Sequence, residues 1–378
     1  MANCPIAGVI WQHLHYIAGL KRLGHEIYYV EDSAFPPYDP VSYDTGGCTY
    51  AVKTLRTLAK TFDFQHHWAY CARYLDPPQS FGLELSRLRE LYREADAILN
   101  VCGSHELHDD LLKSDALIYL ESDPGVEQIK VDQGNATTRS YLQHYRALFT
   151  FGENIGTSNF PIPLHGLRWL PTRQPIVIDF WKEDSALSAE AIFTTIANWS
   201  THGQKDITWN GETYLWSKSD SFRHFINVPG VAGEAFEIAT DIKDKSVADL
   251  FRRRGWRLRN PHELSVDWRL YQNYIRGSRG EFTVTKDQYV RLQTGWFSDR
   301  SACYLAAGRP VITQETGFSR LYGGNRGLFA FSDLREIGEA VAAIRANYKI
   351  HSKAAYEIAK EFFDAEAVLS SLLNRAGV

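Results

Sequence analysis

Residues 294–318, TGWFSDRSACYLAAGRPVITQETGF, put Ser298, Asp299 and Arg300 at the head of an amphipathic run that stops at Gly308. Ser298 or Asp299 has the side chain of a helix N-cap, because a short polar group satisfies the orphan amides of a first turn. A helix start with free amides and partial positive charge is a ready diphosphate site, and the Arg300 guanidinium can fork onto phosphate oxygens. A capped core helix carrying a surface arginine fits the same pattern. Just upstream, residues 276–286 (RGSRGEFTVTK) hold Arg276, Arg279, Glu281 and Lys286 close together, with Gly277 and Gly280 letting backbone approach a ligand. The functional reading gives phosphate to Arg279 and Lys286 and a ribose or base to Glu281. The competing reading is a salt-bridged surface turn.

The other chemistry-bearing residues lie in the first half. Trp11, His13 and His15 open the first helical run. Histidine suits a general base because its ordinary pKa sits near neutrality, and His13, nearer the helix start, is preferred to His15. A structural histidine is the alternative. Asp123 and Glu153 end strand-like runs and serve as backup bases, although residues 121–124 (ESDP) also read as a turn. No DxD-like pair stands out, and Asp109 and Asp110 have an ordinary helical context, so no metal site is expected.

These residues need elements to position them. Residues 10–23 show helical spacing and stop at Gly24, residues 26–30 form a strand ending in Glu31 and Asp32, and further strands are expected at 97–101, 117–120 and 148–151. Each ends in small or polar residues, where open parallel sheets bind ligands. Residues 161–175 contain Pro161, Pro163, Pro171 and Pro175 and read as a connector. A second series follows, with strands at 192–196, 280–284 and 309–313, a helix near 298–307 and a mostly helical stretch over 333–376. Alternating strands and helices of this kind make parallel α/β sheets. The opening helix lacks the strand that should precede it. Met1 is therefore expected in the first β–α loop, with a longer native start upstream.

The 378-residue length favours two domains, and 44% hydrophobic with 23% charged residues is ordinary globular composition. Aromatics reach 13%, material for a core or for stacking on sugars or bases. A net charge of -4 disfavours a nucleic-acid partner. Five scattered cysteines without a CxxC pair argue against disulfide or zinc frameworks and for a cytoplasmic location. No run reaches the length of a membrane span.

The helix–AxGxPVI–turn stretch at 294–318 resembles the GT-B glycosyltransferases. Together with residues 5–32, 147–155 (ALFTFGENI) and 275–286, it is more closely similar to a family of uncharacterised bacterial glycosyltransferases, over nearly the whole chain. The resemblance implies an α/β fold of two doubly wound, Rossmann-like domains facing each other across a cleft. Residues 1–172 would bind the acceptor and residues 173–355 the nucleotide sugar. Residues 356–378 would form a helix packing back on the first domain. It also implies transfer of a sugar from a nucleotide-sugar donor to a hydroxyl, with no bound metal or cofactor and with a base such as His13 deprotonating the acceptor. Lys218, after the first strand of the second domain, falls where related enzymes often carry a basic phosphate ligand. The donor set is then Lys218, Arg279, Glu281, Lys286, Ser298, Asp299 and Arg300. One departure puts retaining stereochemistry in doubt, since the paired glutamates of many retaining members fall here on Gly295 and Cys303. A nucleotide-sugar epimerase or hydrolase, a non-catalytic binding protein and transfer onto modified nucleic acid are the rival readings.

Overall fold

The computed structural model describes residues 1–33, 35–40, 47–182, 187–200 and 206–378. The strands are β1 Tyr29–Ser33, β2 Trp68–Ala72, β3 Gln79–Gly82, β4 Ile98–Val101, β5 Leu117–Glu121, β6 Ala147–Thr150, β7 Trp169–Pro171, β8 Phe193–Ile196, β9 Ile207–Trp209, β10 Glu212–Tyr214, β11 Phe236–Ala239, β12 Trp256–Arg259, β13 Gly280–Thr283, β14 Val311–Gln314 and β15 Leu328–Phe331. Six of them form one wholly parallel sheet in the order β12-β11-β8-β13-β14-β15. Counted within that sheet, the order is third, second, first, fourth, fifth, sixth. This is the doubly wound arrangement, and its strand order reverses between β8 and β13. Both strands (FTTI, GEFT) are buried along their length, and the threonines and Glu281 they bury are hydrogen-bonded to neighbouring side chains.

The first half also builds parallel α/β layers, in two pieces. β1 pairs with β2 in parallel and β2 with β3 in antiparallel fashion, while β4-β5-β6-β7 form a separate parallel sheet. Residues 1–6 form no strand, and the first helix runs from Ala7 to Arg22, starting earlier than its hydrophobic spacing suggests. Met1 is 4% exposed, and its ammonium lies 2.5 Å from Glu31 Oε1 in the middle of β1.

Three features tie the halves together. Trp11 of the first helix packs against Trp181 and Trp268 and donates from its indole to the Trp268 carbonyl at 2.9 Å. The connector and the returning chain run side by side: Ile176 N–H donates to Phe363 O at 2.7 Å, and Ala365 N–H to Ile176 O at 3.0 Å. The last helix, Ala365–Ala376, then lies on the first, its Leu369, Leu372 and Leu373 meeting Tyr16 and Leu20.

The C-terminal stretch, expected to be mostly helical, is three helices: Leu334–Ala346, Tyr348–Phe362 and Ala365–Ala376. The cause is local. Asn347 and Asp364 turn their side chains onto the Ile350 and Ala367 amides and so begin new helices. The β9–β10 hairpin is absent from the spacing-based reading. Its turn is Asn210-Gly211, both with positive φ (50° and 79°), as a tight two-residue hairpin requires. The hairpin reaches the first half, where Gln133 and Asp132 bind Thr208 O and the Trp209 indole. All five cysteines are free. Among the described residues no helix is long and apolar enough to cross a membrane.

Candidate functional site

Open α/β sheets bind ligands outside the carboxyl ends of their strands, at the point where strand order reverses. Arg300 sits on that point. It donates from Nη1 to the carbonyl of Ile196, the last residue of β8, at 2.5 Å, and from Nη2 to Thr283 Oγ1, at the end of β13, at 2.9 Å. Its Nε lies 2.5 Å from Glu281 Oε1. Arg300 is the second residue of the helix Asp299–Ala306, whose interior residues from Ser301 to Ala306 are all buried. That packing fixes where the guanidinium begins.

Two lysines join it. Lys286 follows β13, and its Nζ lies 3.3 Å from the centre of the Trp216 ring. Lys218 starts the helix Ser219–His224, after the hairpin. Burial and then the charges of Arg300 and Lys286 push its pKa down to about 7. The helix that Lys218 starts docks beside Lys286, with Ser221 Oγ donating to Thr285 O at 3.3 Å, so the lysines and Arg300 lie in one region.

The first half supplies the facing wall. Asp123, in the loop after β5, accepts from Lys286 Nζ at 2.5 Å and from the Tyr289 hydroxyl. The Trp296 indole donates to Ser122 O at 2.8 Å, fixing the same loop to the second half. Gln12 on the first helix reaches Asp299 at 3.4 Å and Cys102 at 3.4 Å. Burial, and then the Asp123 charge, push the Asp299 carboxyl up to about 7. Beside this cluster opens a cavity of about 480 Å³ lined by Cys102, Glu121, Ser122, Asp123, Asp206 and Trp216, among others. Glu121 is buried, takes hydrogen bonds from Thr150 and Gln128, and is pushed up to about 8 by burial.

The structure thus gathers Lys218, Lys286, Asp299, Arg300 and Asp123. Two donor-site expectations and one capping expectation need correction. Arg279 precedes β13 and lies at the amino end of the strand, with its guanidinium 5.8 Å over the Tyr348 ring and its carbonyl bound by the Tyr348 hydroxyl at 2.8 Å. Glu281 is 0% exposed and bound to Arg300, so it anchors the guanidinium and cannot reach a ribose or base. Ser298 occupies the N-cap position with extended backbone (φ -88°, ψ 138°), but its hydroxyl makes no capping bond. Among the bases, Glu153 is corrected as well. Arg173 grips it at 2.8 and 3.0 Å and Tyr322 donates to it, so its oxygens are spent on the seam between connector and C-terminal helices.

His13 lies one residue from Gln12 but bonds to none of these groups. Its Nδ1 is 2.8 Å from Val9 O, which makes it the protonated nitrogen and leaves Nε2 as the acceptor. Burial pushes its pKa down to about 3. His15 is a core residue, with its ring nitrogens 3.0 Å from the Val177 amide and the Trp181 indole. Trp216 and Tyr289 were missed from sequence, and Gln12 was passed over although it lies within residues 5–32.

No family model matches the chain, and no curated protein matches it. Its fold is similar to several solved structures. One is AviGT4, a glycosyltransferase involved in avilamycin A biosynthesis (9% identity, TM-score 0.49, covering 77% of this chain and 76% of that one). Another is Anabaena Alr3699/HepE in complex with UDP and glucose (9% identity, TM-score 0.49, covering 93% and 99%). A third is an alpha-glucosyltransferase in complex with UDP and a 13-mer DNA containing an HMU base (10% identity, TM-score 0.48, covering 78% and 83%).

Proposed function

We propose that the protein is a glycosyltransferase that takes a sugar from a nucleoside-diphosphate sugar and delivers it to an acceptor hydroxyl. The observation that carries this reading is the convergence of Lys218, Lys286 and Arg300 where strand order reverses between β8 and β13, opposite Asp123. Three clustered cations suit a group that carries two or more negative charges and gains charge on leaving, as the diphosphate of a nucleotide sugar does. Charge supplied in place by side chains stabilises that leaving group without reorganisation during the reaction. The sugar and acceptor would occupy the adjoining cavity, whose volume of about 480 Å³ holds sugar-sized groups.

In the proposed step the acceptor oxygen bonds to the anomeric carbon and the bond from that carbon to the diphosphate oxygen breaks. The electron pair leaves on the diphosphate, and the hydroxyl proton passes to a base. Asp299, titrating near neutrality inside the cleft, is best matched to that role, because an effective general base has a pKa near the working pH. His13 offers Nε2 as the alternative acceptor. No cofactor enters this reaction.

The test is product analysis with a panel of nucleoside-diphosphate sugars, with and without simple sugar and polyol acceptors. A new glycoside, with release of the nucleoside diphosphate that depends on acceptor, supports the reading. Conversion of the donor to an epimer without acceptor would replace it with the epimerase reading. Binding without turnover for every acceptor would leave a binding protein.

A further inference from the structure

We infer that Asp123 is a built-in competitor for the diphosphate site, a carboxylate from the first half that holds Lys286 until a diphosphate displaces it. The inference rests on the reading of Lys218, Lys286 and Arg300 as the diphosphate cradle, and adds to it which group competes for one of its cations.

The contact is built from both sides. Lys286 and Tyr289 both place their donors on the same oxygen, Asp123 Oδ1. Tyr289 is fully buried, so its hydroxyl has no access to bulk water and depends on such a partner. The Trp296–Ser122 bond holds the loop one residue away, and the Trp296 ring packs 4.6 Å from Tyr289. Two further side chains, Tyr289 and Trp296, therefore help keep this carboxylate on its lysine. Asp123 is the more open partner, with 44% side-chain exposure against 15% for Lys286. The anion can leave for water, whereas the cation cannot.

The charges explain the arrangement. Asp123 offsets part of the positive charge of Lys218, Lys286 and Arg300, since Glu281 is already committed to Arg300. A buried or half-buried cation needs a partner. A carboxylate and a phosphate present the same chemistry to a lysine, namely an anionic oxygen at hydrogen-bond distance. A diphosphate brings more charge and more oxygens than Asp123, and can reach Lys218 and Arg300 as well. At Lys286 it competes with the Asp123 carboxylate for the same ammonium. The Tyr289 and Trp296 bonds still hold the Ser122–Asp123 wall of the cavity when Lys286 turns to the diphosphate.

Binding of inorganic pyrophosphate and of UDP, measured by calorimetry at fixed ionic strength, tests the inference. Asp123→Asn removes the charge and keeps an oxygen for Tyr289. The expected result is binding about tenfold tighter than wild type, within the usual span of coupling between competing groups. The gain should vanish in an Asp123→Asn/Lys286→Met double variant, because the competition acts through Lys286. Tyr289→Phe, which loosens Asp123 without touching its charge, should shift affinity the same way by a smaller factor, and it supplies a second reading should Asp123→Asn fold poorly. If wild type binds pyrophosphate and neither Asp123→Asn nor Tyr289→Phe binds it more tightly, the competition is disproved while the cradle stands. If none of these proteins binds pyrophosphate or UDP, the cradle reading itself fails and takes the inference with it.

Discussion

Arg300 is held to Ile196 by a 2.5 Å bond from its Nη1 to the main-chain oxygen, although 104 residues separate the two. The bond places a guanidinium on the carboxyl end of β8, and the Thr283 bond at 2.9 Å fastens it to β13 as well. Three of the five N–H groups of the side chain are spent on protein. If the arginine takes the proposed diphosphate, it is oriented in advance, which lowers the ordering cost of binding.

That orientation depends on Glu281, whose carboxylate is fully buried beside the guanidinium. Removing one member of a buried ion pair leaves an uncompensated charge, at a cost of about 3 kcal/mol or more. Glu281→Gln is therefore expected to lose about 3 kcal/mol of stability in urea unfolding. Glu281→Leu/Arg300→Met should recover much of that loss, since replacing both charges with apolar groups of similar size is often tolerated. A single-variant loss under 1 kcal/mol would show that Ile196 and Thr283 hold Arg300 without help.

Lys218 gives a pH signature. Its pKa in the folded chain is about 7, against an ordinary 10.5. The folded state therefore binds this proton less readily than the unfolded state. Stability should rise with pH between about 7 and 10.5, and the full penalty should be present below pH 7. Lys218→Met is expected to melt several degrees higher than wild type at pH 6.5, with the gap closing towards pH 10. Equal melting temperatures at both pH values would mean that the lysine is solvated in the folded state. A diphosphate at the site should also cancel the penalty, so wild type with saturating pyrophosphate should close on the variant.

The seam between first and last helices is tighter than their sequences suggest. A Cβ on Gly19 would lie 2.6 Å from Leu369 Cδ1 and 3.0 Å from Ala365 Cβ. Glycine inside a helix normally costs about 1 kcal/mol relative to alanine, so an unpacked Gly19 would gain stability on substitution. Here the contact reverses the sign. Gly19→Ala should lose about 1 kcal/mol and Gly19→Val about 2–3 kcal/mol, the usual range for overpacking. A stabilised Gly19→Ala would mean that the last helix does not sit where the packing puts it.

What the sequence made legible follows from how each element is built. β4, β5, β6, β8, β13 and β14 stood out because buried parallel strands are short apolar runs bounded by polar turns. Arg279 and Lys286 were grouped by nearness in sequence, yet the strand between them separates their Cα atoms by about 20 Å at the rise of an extended chain. Reading Gly280–Thr283 as a strand already implies opposite ends, so the error lay in treating spacing as proximity. The hairpin was readable from Asn210-Gly211. The C-terminal helix breaks were readable from Asn347 and Asp364, both strong capping residues. The Asp123–Lys286 and Gln12–Asp299 contacts were not, because they join parts of the chain 163 and 287 residues apart. Nothing local to either residue encodes such a meeting.

Asp299 carries the decisive test of the proposed chemistry. Its carboxyl titrates near 7 because it is buried, with Asp123 adding like charge. If it takes the acceptor proton, only its ionised form is competent, and turnover should rise with pH through about 7 before levelling. Asp299→Asn keeps the shape and the Gln12 contact but cannot accept the proton, so turnover should fall on the order of 10²–10⁴-fold and the rise near pH 7 should disappear. Diphosphate affinity supplies the control, because losing a carboxylate beside three cations should leave it unchanged or tighten it. Should Asp299→Asn instead weaken diphosphate binding and keep the wild-type pH profile, the carboxyl serves the donor and the base lies elsewhere. His13→Gln would then be the variant to carry the loss. His13 gives Nδ1–H to Val9 O, and its remaining nitrogen is the other acceptor the first helix offers.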